Sequence, residues 1–285
     1  MNENIMLNPG TMLNNGAYRV EQPITHGRFG NLYLVINTAT QELQAMKELF
    51  IRGITTRESD FVTANEGEHL YRWCREDFKR EIGLLQILRN ARHIVRLRDT
   101  FEDYGTFYYV MDFIRGYSLA EWLKQESNPL TEWQVRRVLQ QVLQALRDMH
   151  ALYIYHLDIK PGNIMLDKLD SVYIVDFGTA QQAVKGRLHT SYYTPRFAPV
   201  EQLNQDLEHY GPWTDIYALG CTTYALLTQR MPPSRGNIEM NNNAFLFKQN
   251  ISHPMQELVK WMMQPSYKAR PTIDDIENIL QQIDG

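Results

Sequence analysis

Hydrophobic and polar positions divide this chain into two dissimilar stretches. From Tyr18 to Tyr33 the pattern predicts a strand, a glycine turn and a second strand, and Gln44 to Leu49 predicts a third. Phe78, Ile82, Leu85 and Leu88 recur at helical spacing and predict a helix over Glu76–Asn90. Val95–Leu97 and Phe107–Phe113 predict two further strands, so the chain up to Phe113 reads as mostly β with one helix. Beyond Gly116 the period changes. Thr131 and Gln134 have the spacing of a capping box, and Val135, Val138, Leu139, Val142, Leu146 and Met149 continue it as a long amphipathic helix. A helix beginning near Asp215 is apolar on nearly every face, which predicts a central, buried position. The last helices are expected over Met255–Met263 and Ile273–Ile283. The expected class is α+β: a small β-rich unit over residues 18–113 and a larger, mostly α-helical unit over 114–285, joined near Asp112–Gly116.

Two segments do not follow these periods. Residues 1–17 are polar and asparagine-rich, and read as a flexible arm. Residues 51–75 carry Arg57, Glu58, Asp60, Glu66 and Glu68 and are long for a connection; they are either partly helical or a specialised loop.

Composition narrows the picture. With 285 residues and 44% hydrophobic content, the chain can bury one large core or two modest ones. A net charge of −4 gives no basic footprint for nucleic acid. Two cysteines, Cys74 and Cys221, make neither a disulfide framework nor a zinc site, and Cys221 sits in an apolar helical run that predicts a buried, inert thiol. No apolar stretch approaches the roughly 20 residues that span a bilayer, and the opening MNENIMLNPG has no signal-peptide core. A cytoplasmic protein is the expectation.

The densest chemistry lies in His156-Leu157-Asp158-Ile159-Lys160-Pro161-Gly162-Asn163, followed by Asp176-Phe177-Gly178. An Asp that can accept a hydroxyl proton, an Asn and an Asp that can hold Mg²⁺, and a Lys between them are the parts that phosphoryl transfer needs. Apolar runs at Tyr153–Tyr155 and Ile164–Leu166 predict short strands that hold this loop on a rigid frame. Upstream, Thr25-His26-Gly27-Arg28-Phe29-Gly30 sits between two strands, where it is either an ordinary hairpin or a loop whose amides approach phosphates. It has no G-x-x-x-x-G-K-[ST] pattern, and it opens a strand rather than a helix. Lys47 on the third strand either faces solvent or is paired, and Glu81 on the following helix is within reach of it.

Together these pieces resemble the eukaryotic-type protein kinase family, from about Tyr18 to Ile283. The resemblance implies a bilobal protein-kinase-like fold and a phosphotransferase that uses ATP with Mg²⁺ or Mn²⁺ on Ser/Thr hydroxyls of protein substrates, itself included. In it Lys47 holds the α- and β-phosphates and pairs with Glu81, Asp158 is the base, and Lys160 neutralises the γ-phosphate. Asn163 and Asp176 are the metal ligands. Thr25, Gly27 and Gly30 belong to the phosphate lid, and Leu32 and Ala45 join the nucleotide-binding set. Met111 falls at the gatekeeper position, with Asp112 to Ile114 as the hinge that bonds adenine. Thr194 matches the substrate-docking loop, Asp215 braces the catalytic loop, and Arg270 pairs with Glu201. The resemblance implies that these groups gather around one nucleotide in the cleft between the lobes.

The chain departs from the family pattern at three places. Thr25 replaces the first glycine, and Pro199-Val200-Glu201 stands where Ala-Pro-Glu is usual. Leu157 replaces an Arg that binds a phosphorylated activation-loop residue, and leucine cannot bind phosphate. Activity independent of loop phosphorylation is therefore expected, with Lys185 and Arg187 as alternative phosphate ligands. Two rival readings are a pseudokinase scaffold, disfavoured because Lys47, Glu81, Asp158, Asn163 and Asp176 are all present, and an antibiotic-type small-molecule kinase, disfavoured by Lys160 and the Thr194–Glu201 segment. Residues 51–75 would lie beside the Glu81 helix, as a site for a regulatory partner or as a variable surface insertion.

Overall fold

A computed structural model describes residues 5–27, 30–64, 68–125, 130–183, 193–234 and 245–284. The chain divides into two units, residues 1–89 with 95–113 and residues 90–94 with 114–285. The short excursion at 90–94 belongs to the second unit because Ile94 bridges Ile174, whose amide donates to His93 O at 2.8 Å.

In the first unit, alternating runs pair into a six-stranded antiparallel sheet. The strands are β1 (Met12–Leu13), β2 (Tyr18–His26), β3 (Asn31–Asn37), β4 (Leu43–Glu48), β7 (Leu97–Asp103) and β8 (Thr106–Asp112), in the order β1-β2-β3-β4-β8-β7. Tyr18, Val20, Tyr33, Val35, Met46, Tyr108 and Val110 form one buried face. Residues 5–17 are not the flexible arm that their polarity suggests. Leu7 and Leu13 are at most 1% exposed and pack into that same face, and the Leu7 amide donates to Tyr33 Oη at 3.0 Å. The β1–β2 pairing and the Asn14 bonds to Asp103 and Asp99, at 2.8 and 3.2 Å, help the two leucines dock the segment.

Of the two readings of residues 51–75, the partly helical one holds among the described residues. They contain a hairpin, β5 (Thr55–Glu58) with β6 (Phe61–Ala64), and then the first turns of α1 (Glu68–Ile87). The helix thus begins earlier than the Glu76 expected. Cys74, Phe78, Glu81, Leu84, Leu85 and Leu88 make the buried stripe, whereas Leu70 and Trp73 in its first turns remain exposed and blur the periodicity. The expected strand at Val95–Leu97 instead runs Leu97–Asp103.

In the second unit, β9 (Gly116–Ser118), β11 (Ile164–Asp167) and β12 (Val172–Ile174) form a sheet in the order β12-β11-β9, and β10 (Ile154–Tyr155) pairs with β13 (Gln181–Gln182). A Cβ at Gly116 would lie 1.9 Å from Leu166 O, so only glycine fits where β9 meets β11. The helices are α2 (Leu119–Lys124), α3 (Glu132–His150), α4 (Val200–Leu203), α5 (Pro212–Thr228), α6 (His253–Met262) and α7 (Ile273–Asp284). Both halves of the capping box at Thr131 and Gln134 are formed. Every residue of α5 from Thr214 to Thr228 is buried. Its Thr222, Thr223 and Thr228 hydroxyls satisfy themselves by donating to Ala218 O, Leu219 O and Tyr224 O at 2.7–2.9 Å. Cys221 is wholly buried there, and burial pushes its thiol pKa far up. Among the described residues, no helix is long and apolar enough to cross a membrane.

Candidate functional site

The first unit places the expected phosphate-binding groups on neighbouring strands. Gly27 N donates to Gly30 O at 2.8 Å, closing the turn between β2 and β3; Arg28 and Phe29 lie outside the described residues. A Cβ at Gly30 would stand 2.6 Å from Glu48 O, so this glycine permits the close approach of loop and β4. Thr25, which replaces the family's first glycine, pairs with Leu32 across β2 and β3. On β4, Lys47 Nζ donates to both Glu81 oxygens, at 2.7 and 2.9 Å. This resolves the two readings of Lys47: it is paired and its side chain is only 19% exposed. Tyr109 Oη donates to Glu81 Oε1 at 2.8 Å and fixes the carboxylate from a third side. Sequence reasoning missed Tyr109. Its role depends on the cross-strand register Lys47↔Tyr109, which the sequence does not state. Ala45 and Met111 pair across β4 and β8 and are both buried. Asp112 donates its amide to Arg96 O at 3.0 Å and ion-pairs with Arg98. Ile114 O accepts from Gly116 N at 3.0 Å.

The second unit builds the catalytic loop between β10 and β11. Leu157 takes φ +64°, and Asp215 holds it there. Its carboxylate accepts the His156 and Leu157 amides at 3.0 and 2.8 Å, and lies 2.9 Å from His150 Nε2. The Leu157 side chain is buried with Tyr155 and Tyr210, and Gln202 Nε2 donates to its carbonyl at 2.8 Å. His150 and Gln202 were not anticipated, because both act on backbone or carboxylate atoms that only the folded chain brings near.

Asp158 is the centre of the loop. Lys160 Nζ donates to its Oδ2 at 2.5 Å and Thr194 Oγ1 to its Oδ1 at 2.6 Å, while Lys160 also donates to Thr194 Oγ1 at 2.9 Å. Asn163 Nδ2 donates to Asp158 O and Oδ2 at 3.0 and 3.2 Å. That commits the Asn163 amide nitrogen to Asp158. Asp176 holds φ +64°, with Gly178 N at 3.4 Å from its Oδ1. The neighbouring Phe177 is buried against His156, with ring centroids 5.1 Å apart.

Farther along, Arg270 meets Glu201 through both fork nitrogens, at 2.6 and 3.1 Å, and both side chains are buried. Arg270 also donates to the carbonyls of Trp213, Gln264 and Pro265 at 2.8–3.0 Å, which uses the whole guanidinium. The expected phosphate ligands Lys185 and Arg187 lie outside the described residues, as do Thr190, Ser191 and Tyr192.

The donor set fits a divalent ion that shares its coordination with phosphate. Among the described residues, no three His, Cys, Asp or Glu side chains cluster closely enough to cage a metal. Mg²⁺ bound through one or two protein oxygens and nucleotide phosphates needs no such cage, and Asn163 and Asp176 supply hard oxygens of that kind.

Comparison with known proteins agrees with this architecture. The solved structure "PpkA-294 apo form" superposes with a TM-score of 0.82 at 23% identity, covering 97% of this chain and 99% of that one, and shows the bilobal protein-kinase fold. The probable serine/threonine-protein kinase MARK-C of Dictyostelium discoideum is 27% identical over 272 residues, 92% of this chain and 33% of the relative. Serine/threonine-protein kinase PLK2 of Rattus norvegicus is 30% identical over 209 residues, 71% of this chain and 30% of the relative. The chain thus spans about a third of the length of these curated relatives. The protein kinase domain family matches residues 18–282, and this chain belongs to it.

Proposed function

We propose that this chain is a serine/threonine protein kinase that moves the γ-phosphoryl group of Mg·ATP to hydroxyls of protein substrates, its own included. One observation carries the reading: an aspartate, Asp158, held by Lys160 and by a hydroxyl donor, Thr194, in the loop that also presents Asn163. The Thr194 hydroxyl sits on Asp158 Oδ1 at 2.6 Å, the distance a substrate hydroxyl needs to pass its proton to that oxygen. Lys160, beside the same carboxylate, offsets charge on the transferred group. Lys47, aligned by Glu81 and Tyr109, binds the α- and β-phosphates. Asn163 and Asp176 would hold Mg²⁺, which when bound neutralises the phosphate oxygens as the group transfers. Positioning and charge account for the rate, and no covalent intermediate on the protein is needed. The names of the curated relatives support a Ser/Thr acceptor, as does Lys160.

Transfer of label from [γ-³²P]ATP to the protein and to lysate proteins tests this, with phosphosites read by mass spectrometry. We expect Asp158→Asn to slow transfer by roughly 10²–10⁴ while leaving the KM for ATP nearly unchanged. Lys47→Met should abolish detectable turnover. Near-normal rates in both variants would refute the assignment, and nucleotide binding without any transfer by the unaltered protein would favour the pseudokinase reading.

A further inference from the structure

Glu48 is a buried carboxylate that the proposed chemistry does not use. It follows Lys47 on β4, so strand alternation sends it to the opposite face of the sheet. There it is wholly buried, and each oxygen accepts two hydrogen bonds. Oε1 takes Arg57 Nη2 at 2.6 Å and Tyr108 Oη at 2.7 Å; Oε2 takes Tyr33 Oη at 2.7 Å and Asn31 Nδ2 at 2.9 Å. A charge removed from water needs this full complement.

The donors arrive from three directions. Asn31 and Tyr33 lie on β3, Tyr108 on β8, and Arg57 on the β5–β6 hairpin. The Arg57 side chain is as fully buried as that of Glu48. Burial works against the Arg57 charge, but the Glu48 carboxylate outweighs it and holds the guanidinium above its ordinary pKa. Arg57 Nη1 donates to Asp60 O at 2.7 Å, which fastens the turn of its own hairpin. The N-terminal segment joins the network too, through Asn31 Nδ2 to Ile5 O at 2.7 Å and Leu7 N to Tyr33 Oη at 3.0 Å.

The anchor point matters more than the pair itself. Asn31 is the first residue of β3 after Gly30, and it pairs with Glu48 in the register that sets Leu32 against Lys47. The end of the glycine loop and the lysine strand are therefore pinned together at one residue.

We propose that Glu48 and Arg57 are positioning residues for the nucleotide: the β5–β6 hairpin, latched by this ion pair, fixes where the glycine loop joins the strand of Lys47. The proposal rests on the reading of that loop and lysine as phosphate ligands. It assigns the charge-rich insertion a task inside its own unit, and a merely stabilising pair makes a different forecast.

Arg57→Met removes the cation, keeps most of the volume and leaves Glu48 with three neutral donors. We expect amide exchange in the unliganded protein to quicken about tenfold or more over residues 31–34 and 45–48. The KM for ATP should rise about tenfold with little change in kcat, measured well below the melting point of the weakest variant. The double variant Glu48→Gln/Arg57→Met carries no uncompensated charge, so its Tm should recover while its KM stays high, because the hairpin is still unlatched. A Tm loss in Arg57→Met with unaltered exchange and KM overturns the proposal, as does a KM that returns with Tm in the double variant. Should Arg57→Met fail to fold, the double variant and Arg57→Lys, which keeps the charge but not the fork, decide the matter. Exchange requires no catalysis, so an unaltered protein that transfers no phosphate would defeat the kinase reading alone and leave exchange to judge this one.

Discussion

At position 157 a leucine sits at φ +64° inside a small apolar cluster with Tyr155 and Tyr210. A left-handed conformation costs a non-glycine residue about 1–2 kcal/mol, and the Asp215 carboxylate offsets it by taking two consecutive amides. An arginine in this place would have to desolvate its charge among apolar neighbours. Leu157→Arg is therefore expected to destabilise the protein by about 3 kcal/mol, seen as a lower Tm by calorimetry. Alanine at Thr190, Ser191 or Tyr192 should leave activity intact. A Leu157→Arg protein of normal stability would contradict the first expectation, and loss of activity from one of these alanines, restored by an acidic residue, the second. Residues of this loop were legible from sequence because their types stand at fixed offsets within one short run. Tyr109, Gln202 and Arg57 were not, because each meets its partner through strand register or chain reversal, which spacing does not encode.

Elements were legible where local chemistry and periodicity agree. The helix α3 shows both, with its capping box and its buried stripe from Val135 to Met149. Thr131→Ala should cost about 1 kcal/mol and lower Tm by about 2–4 °C; an unchanged melting curve would mean that packing alone sets this terminus. The extent of strand β7 beyond Leu97 escaped because its sequence, LRDTFED, is mostly polar and only alternates between half-buried and exposed. The β5–β6 hairpin escaped because its anchor is a buried arginine, whose burial is set by Glu48 on another strand. The start of α1 escaped because Leu70 and Trp73 point to solvent and break the stripe that Phe78 and Leu85 define.

For the whole molecule, a ligand that binds only the folded state must raise its stability. Saturation with Mg·ATP at about 100 times Kd should add about 2.7 kcal/mol. A thermal-shift series with ATP alone, Mg²⁺ alone and both should show the large shift only for the combination, and Asp176→Ala should lose the dependence on Mg²⁺. Equal shifts with and without Mg²⁺ would remove Asp176 from the metal-binding role.

The docked N-terminal segment has a practical corollary. The family match begins at residue 18, yet Leu7 and Leu13 already belong to the buried face that Tyr33 and Tyr108 share. Trimming a recombinant version to the family boundary would cut through the packing of the first unit, uncover an apolar hollow beneath the sheet and strand the Tyr33 and Asn31 side chains without their outer partners. Expression designs that begin upstream of Ile5 keep that face shut.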